Sequence, residues 1–435
     1  MQEINIKDLQ SLNHSYHNDQ SSLHFIYGGK RTGKTTFLKD FIVKKNYLYL
    51  SCSTTSKYIQ ISNFAKIISK KFKQQFIQSY FNEFTDILIL LSKQNINDKF
   101  LIIFDDFHNL LKIDKNELNN LLNFWTKTLQ NKNIQIIISS SQIFDLKFNK
   151  KLSYFKQNTI YMENIPFSNI KKKKNISDID KLNIYAFFGS SDFILNYYNR
   201  NEDFIKNIYN IALSPNSPFL NYGFHYLKEN IGDISTYNSI LFAISKKNNK
   251  ISDIALFINL PASYLSRYIS KLIDLMIIKR ELPIDDNFKN SKFGRYYIND
   301  NFLQFWYCYV FENLSFLNMK KHTSVIKQIN SSYLENILQP AYKKYILDLI
   351  NQNPEKYIGY TPNNLAPWWD NNSHIDLVAY NNTDITFIDI LWENPKNAKI
   401  QYSKLLDNAA FYKSSLKRNY IIISKNSYLN SIKNQ

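Results

Sequence analysis

The chain has 435 residues, enough for two or three domains with separate cores. An apolar content of 44% with 16% aromatics excludes a disordered chain, and two distant cysteines, Cys52 and Cys308, exclude a disulfide framework or a thiolate metal site. The formal charge of +18 admits a polyanionic partner, but lysine far outweighs arginine here, and phosphate readers favour arginine forks, so charge alone leaves nucleic acid open.

At the N-terminus, Met1-Gln2-Glu3-Ile4-Asn5 lacks a charged-then-apolar leader. No apolar run approaches the roughly 18 residues of a membrane span, so a cytoplasmic protein with no membrane partner is expected. Leu23 to Tyr27 reads as a short buried strand that runs into Gly28-Gly29-Lys30-Arg31-Thr32-Gly33-Lys34-Thr35. Thr35 to Ile42 then has helical spacing, with Thr36 in its first turn. A strand, a glycine loop and a helix in this order form a phosphate cradle. Gly28 and Gly33 permit tight turns, successive N–H groups face inward, and the helix adds its positive end. Lys34 is expected to reach the β- and γ-phosphates of ATP, and Thr35 to ligate Mg²⁺.

Tyr47 to Leu50 reads as a second strand, and Phe100 to Phe104 as a third, buried on both faces and ending in Asp105-Asp106. Asp105 is expected to hold Mg²⁺ through water, and Asp106 to orient or deprotonate the attacking water. Asp has one methylene fewer than Glu, which predicts slow hydrolysis. Ile134 to Ile138 ends in Ser139-Ser140-Ser141, where Ser140 is a candidate γ-phosphate sensor or else a helix cap. Strands alternating with helices predict a parallel α/β sheet that binds nucleotide at the carboxyl ends of its strands.

After the lysine run 171–174, residues 178–198 and 207–213 read as helices of a lid. Tyr237 to Lys246, Asp253 to Phe257 and Pro261 to Leu275 then form three helices, and Ile277 to Leu282 a strand. That order describes a winged helix-turn-helix, whose outward Ser263, Tyr264, Arg267 and Lys271 are DNA-contact candidates. An internal docking or dimer module has the same pattern. Tyr296 to about Leu317 reads as an aromatic helical region of core type. Ser373 to Tyr380 and Asp384 to Trp392 read as paired strands across an Asn381-Asn382 turn. Asp376 and Asp389 can then share a metal, with Glu335 as a third ligand.

These residues together resemble the archaeal-type P-loop ATPase family, which is related to the signal-transduction ATPases with numerous domains. The resemblance is carried by Tyr27 to Thr36, Asp105-Asp106-Phe107, the triple serine, Ile184 to Gly189, Leu213-Ser214-Pro215, Arg280 to Pro283 and Asn299 to Trp306. It implies an ATPase core over 1–165 and a helical lid over 166–232. A winged helix over 233–285 and, over 286–435, an aromatic segment with a small α/β domain similar to PD-(D/E)XK nucleases complete it. Three departures stand out. Residues 4–9 lack the family's arginine, His374 stands where a Glu is usual, and Asp389-Ile390-Leu391-Trp392 occupies the Glu-x-Lys-Trp position. Leu391 cannot orient water or stabilise charge as that lysine does; Lys399 or Lys404 would have to substitute. The implied function is a nucleotide-driven switch with slow Mg²⁺-dependent ATP hydrolysis that contacts DNA or a protein partner. The alternatives are an ATP-gated DNA nuclease and an interaction protein that binds nucleotide without hydrolysing it.

Overall fold

The structure is a computed structural model that describes residues 6–18, 20–30, 32–73, 81–94, 96, 98–143, 158–162, 178–189, 192–229, 231–286, 291–393 and 398–425. The chain divides into two compact units, one of Met1–Ile165 with Asp274–Met276, the other of Pro166–Ile273 with Ile277–Gln435. Arg31 and the lysine run 171–174 lie outside the described residues.

In the first unit, β1 (Ser22–Tyr27), β2 (Tyr47–Ser51), β3 (Phe100–Asp105), β4 (Ile134–Ser140) and β5 (Thr159–Tyr161) form one sheet in the order β2-β3-β4-β1-β5. Every pairing is parallel, as the alternation of strands and helices predicts. Both faces are buried, which explains the continuous apolar runs of β3 and β4. One face, with Phe25, Tyr27, Leu50, Ile102, Phe104 and Ile136, packs against α3 (Lys57–Lys71), α4 (Phe84–Ser92) and α5 (Glu117–Lys127). The other, with Ile26, Leu101, Ile103 and Ile137, packs against Phe37, Leu38 and Phe41 of α2 (Lys34–Phe41) and Leu12 of α1 (Ile6–His17). β4 lies between the glycine-loop strand β1 and the acid-bearing β3, so groups at the ends of all three meet at one edge of the sheet.

In the second unit, helices Asp178–Phe188, Asp192–Leu195 and Phe204–Ile208 precede three helices, Ser235–Ser245, Ile251–Ile258 and Ala262–Asp274. The last of these buries Leu265, Ile269 and Leu272 of the stripe that its period predicts, while Ile273, the fourth member, is half-buried. β6 (Ile278–Glu281) follows and pairs antiparallel with β7 (Arg295–Ile298). Residues 295–298 are therefore a strand and not the start of the aromatic helix. That helix begins at Asn301, where the Asp300 carboxylate caps it by accepting from the Leu303 N–H at 2.6 Å. A four-stranded sheet closes the chain, in the order β11-β10-β9-β8. Its members are β8 (Asn364–Trp369), β9 (His374–Tyr380), β10 (Asp384–Leu391) and β11 (Lys417–Ser424). Among the described residues no helix is long and apolar enough to cross a membrane.

Candidate functional site

The glycine loop leaves β1 with the Gly28 N–H donating to the Ser140 carbonyl at 3.2 Å. A Cβ on Gly28 would meet Thr32 Oγ1 at 2.6 Å and the Met162 carbonyl at 2.8 Å, so no larger residue fits there. Gly33 caps α2 with φ 85°, a left-handed conformation that glycine adopts without strain. Thr32 Oγ1 closes the turn by donating to the Gly29 carbonyl at 2.9 Å.

Lys34 opens α2 and is 5% exposed. Its ammonium donates to the carbonyls of Gly28 at 2.8 Å and Gly29 at 3.0 Å. Burial pulls its pKa down to about 8, opposed by the charges of Asp106 and Asp105. Among the described residues its hydrogen-bond partners are loop carbonyls, and phosphate oxygens are stronger acceptors for an ammonium. Thr35 Oγ1 donates to Asp105 Oδ2 at 2.9 Å, so hydroxyl and carboxylate stand together as the sequence predicts. Lys30 and Thr36 also belong to this loop and first turn.

Two residues escape the motif reading. Tyr49 on β2 donates its hydroxyl to Asp105 Oδ2, and Ser139 on β4 donates to Asp105 Oδ1. The register accounts for both: Tyr49 lies opposite Ile103 and Ile137 opposite Ile103, so 49, 105 and 139 share the sheet face that carries α2. Ser140, the candidate phosphate sensor, uses its hydroxyl in a turn with Gln142, donating to that carbonyl at 2.6 Å. The serine beside the acids is Ser139, which also accepts from the Asp106 N–H at 3.0 Å. Alternation along β4 from Ile137 carries that signal.

Asp106 follows β3 with φ 55°, a conformation that Asp tolerates better than most residues, and its side chain is 39% exposed. Burial, then the charge of Asp105, raises its pKa above the usual carboxylate range. His108 Nδ1 lies 3.9 Å from Asp106 Oδ1. Burial, with Lys112 and Lys34 nearby, drives the His108 pKa down to about 3, so its ring is neutral. The Ser141 N–H donates to His108 Nδ1 at 3.4 Å.

The loop therefore fits a nucleoside triphosphate: Gly28 sits where a Cβ would collide, and among the described residues the Lys34 ammonium donates only to loop carbonyls. Thr35 and Asp105 suit Mg²⁺, which takes few protein oxygens and keeps several waters. Among the described residues no group of three or more His, Cys, Asp or Glu gathers to hold a metal.

That finding also bears on the second unit. Asp376 on β9 and Asp389 on β10 are neighbours, but they do not form a three-ligand set with Glu335. Glu335 is ion-paired to Lys247, and both ends of that pair are largely exposed. Asp376 Oδ1 is neutralised by Lys343, from helix Gln339–Gln352, and its Oδ2 accepts from the Ile390 N–H at 2.9 Å. Asp389 accepts from Gln401 at 3.0 Å; burial and the Asp376 charge push its pKa up to about 6. The lysine paired with Asp376 is thus Lys343, while Lys399 and Lys404 lie exposed on the helix that follows β10. A cavity of about 310 Å³ has Glu335, Lys343 and Asp376 in its wall.

On helix Ala262–Asp274, Ser263, Tyr264 and Arg267 are exposed and Lys271 is half-buried. The Arg267 guanidinium lies 4.7 Å and 4.8 Å from the ring centres of Tyr264 and Tyr268, and donates to the Tyr268 hydroxyl at 3.0 Å.

Comparison with known proteins agrees with this geometry. Residues 6–196 match the model of an ATPase domain predominantly from Archaea. Residues 306–402 match a domain of archaeal and bacterial proteins of unknown function. An uncharacterized protein of Methanocaldococcus jannaschii is 25% identical over 409 residues, covering 91% of this chain and 88% of that one. The Walker-type ATPase of Pyrococcus abyssi superposes with a TM-score of 0.52 at 16% identity, over 69% of this chain and 94% of that chain, a likeness of fold. Residues 6–196 of this chain belong to the family of ATPase domains found predominantly in Archaea.

Proposed function

We propose that the protein is a nucleotide-driven switch that binds ATP with Mg²⁺, hydrolyses it slowly, and alters its contact with a partner according to nucleotide state. One observation carries the ATP site: the Lys34 ammonium is buried inside the glycine loop while Thr35 donates to Asp105 beside it. In this reading the loop N–H groups and Lys34 bind the phosphates, and Thr35 and Asp105 hold Mg²⁺, which supplies Lewis-acid charge neutralisation when bound. Asp106 accepts the proton of the attacking water. Its raised pKa makes it a stronger base than an ordinary Asp, while its short side chain limits its reach. Replacing Asp106 by Asn is expected to abolish steady phosphate release while ATP binding persists. Undiminished release would contradict its role as base, and no release from the wild type would favour an interaction protein that binds nucleotide without hydrolysing it.

The three-helix segment with its β6–β7 hairpin supports a winged helix-turn-helix as the partner-facing module. A protein partner suits it better than DNA. Several of its cations are committed within the chain, in the pairs Lys246–Glu312, Lys247–Glu335 and Lys279–Glu281. Leu256 is 84% exposed on the neighbouring helix, with Phe257 also exposed. Weak, salt-sensitive binding of duplex DNA, indifferent to ATP, is the expected result of a fluorescence titration at two salt concentrations. Tight binding governed by nucleotide would favour the DNA reading. A nuclease is disfavoured, because Leu391 replaces the lysine and Lys343 already neutralises Asp376.

A further inference from the structure

We propose that Tyr49 sets the metal dependence of the nucleotide site, its hydroxyl competing with hydrated Mg²⁺ for the Asp105 carboxylate; this rests on the Mg²⁺–ATP reading above. An ionised carboxylate only accepts hydrogen bonds and offers about four lone-pair directions. The chain's own hydroxyls fill three of these, with Thr35 and Tyr49 on Oδ2 and Ser139 on Oδ1.

The three donors are not equivalent. Thr35 can donate to Asp105 while its lone pairs face a metal, so its bond is compatible with Mg²⁺. Ser139 is fixed on both sides, accepting from the Asp106 N–H while it donates to Oδ1. Tyr49 comes from β2, the strand paired with β3, and its hydroxyl crosses to the Asp105 carboxylate. Its ring packs on the same apolar cluster as Phe37, Leu101 and Ile103, and its hydroxyl extends past them to the carboxylate. Mg²⁺ sheds water reluctantly, and a metal-bound water needs an acceptor for each of its hydrogens. On Oδ2 that water and the Tyr49 hydroxyl compete for one position.

The same hydroxyls act on Asp105 before ATP binds. Asp105 is held in place and satisfied before any metal arrives, so a free divalent ion gains little there. Metal enters effectively only with phosphate oxygens that add their own ligands, which makes Mg²⁺ capture depend on ATP.

Tyr49→Phe removes the hydroxyl and leaves the ring in its packing. With nucleotide saturating, Mn²⁺ titration followed by paramagnetic resonance should give half-saturation at about three- to tenfold lower metal in the variant, the scale of one charge-assisted hydrogen bond partly replaced by another. Affinity for ATP in EDTA should be unchanged, which a general loosening of the loop would not leave intact. Tyr47→Phe, one side chain earlier on the same face, should alter neither constant. Metal affinity that is unchanged or weaker in Tyr49→Phe would overturn the proposal, since the hydroxyl would then be idle or would be holding Asp105 for the metal. Failure of the wild type to bind ATP with or without metal would overturn the nucleotide reading itself.

Discussion

On β1, the strand that feeds the glycine loop, His24 is 2% exposed and its Nε2 has no hydrogen-bond partner among the described residues. Burial, assisted by the charge of Lys99, lowers its pKa from 6.5 to about 4. The ring is therefore neutral in the native core and protonates in the unfolded chain first. Between pH 6.5 and about 4 the unfolded state binds the extra proton, so stability rises with pH across that window and is lost as pH falls. Urea unfolding at pH 7 and pH 5 should differ by about 2 kcal/mol from this group alone. In His24→Leu that difference should shrink; an unchanged difference would assign the acid sensitivity to other groups. At this scale the sequence was most legible where chemistry is local. Gly28, Gly33, Lys34, Thr35 and Asp105 stand where their spacing predicts, because a strand, a turn and a helix start are set within a few residues. Tyr49 and Ser139 were not legible, since their partner Asp105 lies 56 and 34 residues away and strand order alone brings them to it.

At the scale of elements, the aromatic segment of the second unit works by close approach. Trp306 is fully buried and its indole N–H donates to the Leu220 carbonyl at 2.9 Å. Gly223, in helix Tyr222–Lys228, faces that ring so closely that a Cβ would lie 2.3 Å from one of its carbons. The hydrogen bond and the surrounding packing keep the indole from yielding. Gly223→Ala is therefore expected to destabilise the protein by about 1–3 kcal/mol, despite alanine's better helix propensity, as a lowered Tm. A raised Tm would mean that the ring gives way. An aromatic stretch of this kind is expected to be core, and Trp306 bears that out. Its helix starts at Asn301 and not at Tyr296; Tyr296, Tyr297 and Ile298 suit helix interior and strand alike. Pairing with Ile278–Glu281, a non-local contact, decides for the strand. The outer strands β8 and β11 went unread for a similar reason: Asn364–Trp369 contains Pro367, and neither strand has the turn chemistry of the β9–β10 hairpin beside it.

For the whole molecule, the chain joins one unit built around a nucleotide loop to a second rich in helices and closed by a small sheet. The second unit holds the module proposed to face a partner and the acid pair that Lys343 neutralises. Nucleotide binding belongs to the first. ATP binding to the full chain by isothermal titration, wild type against Lys34→Ala, tests it most directly. Saturable Mg²⁺-dependent binding that disappears in the variant, with its fold intact by circular dichroism, is the predicted result. Equal affinity in the two proteins would contradict the claim that this loop is the nucleotide site.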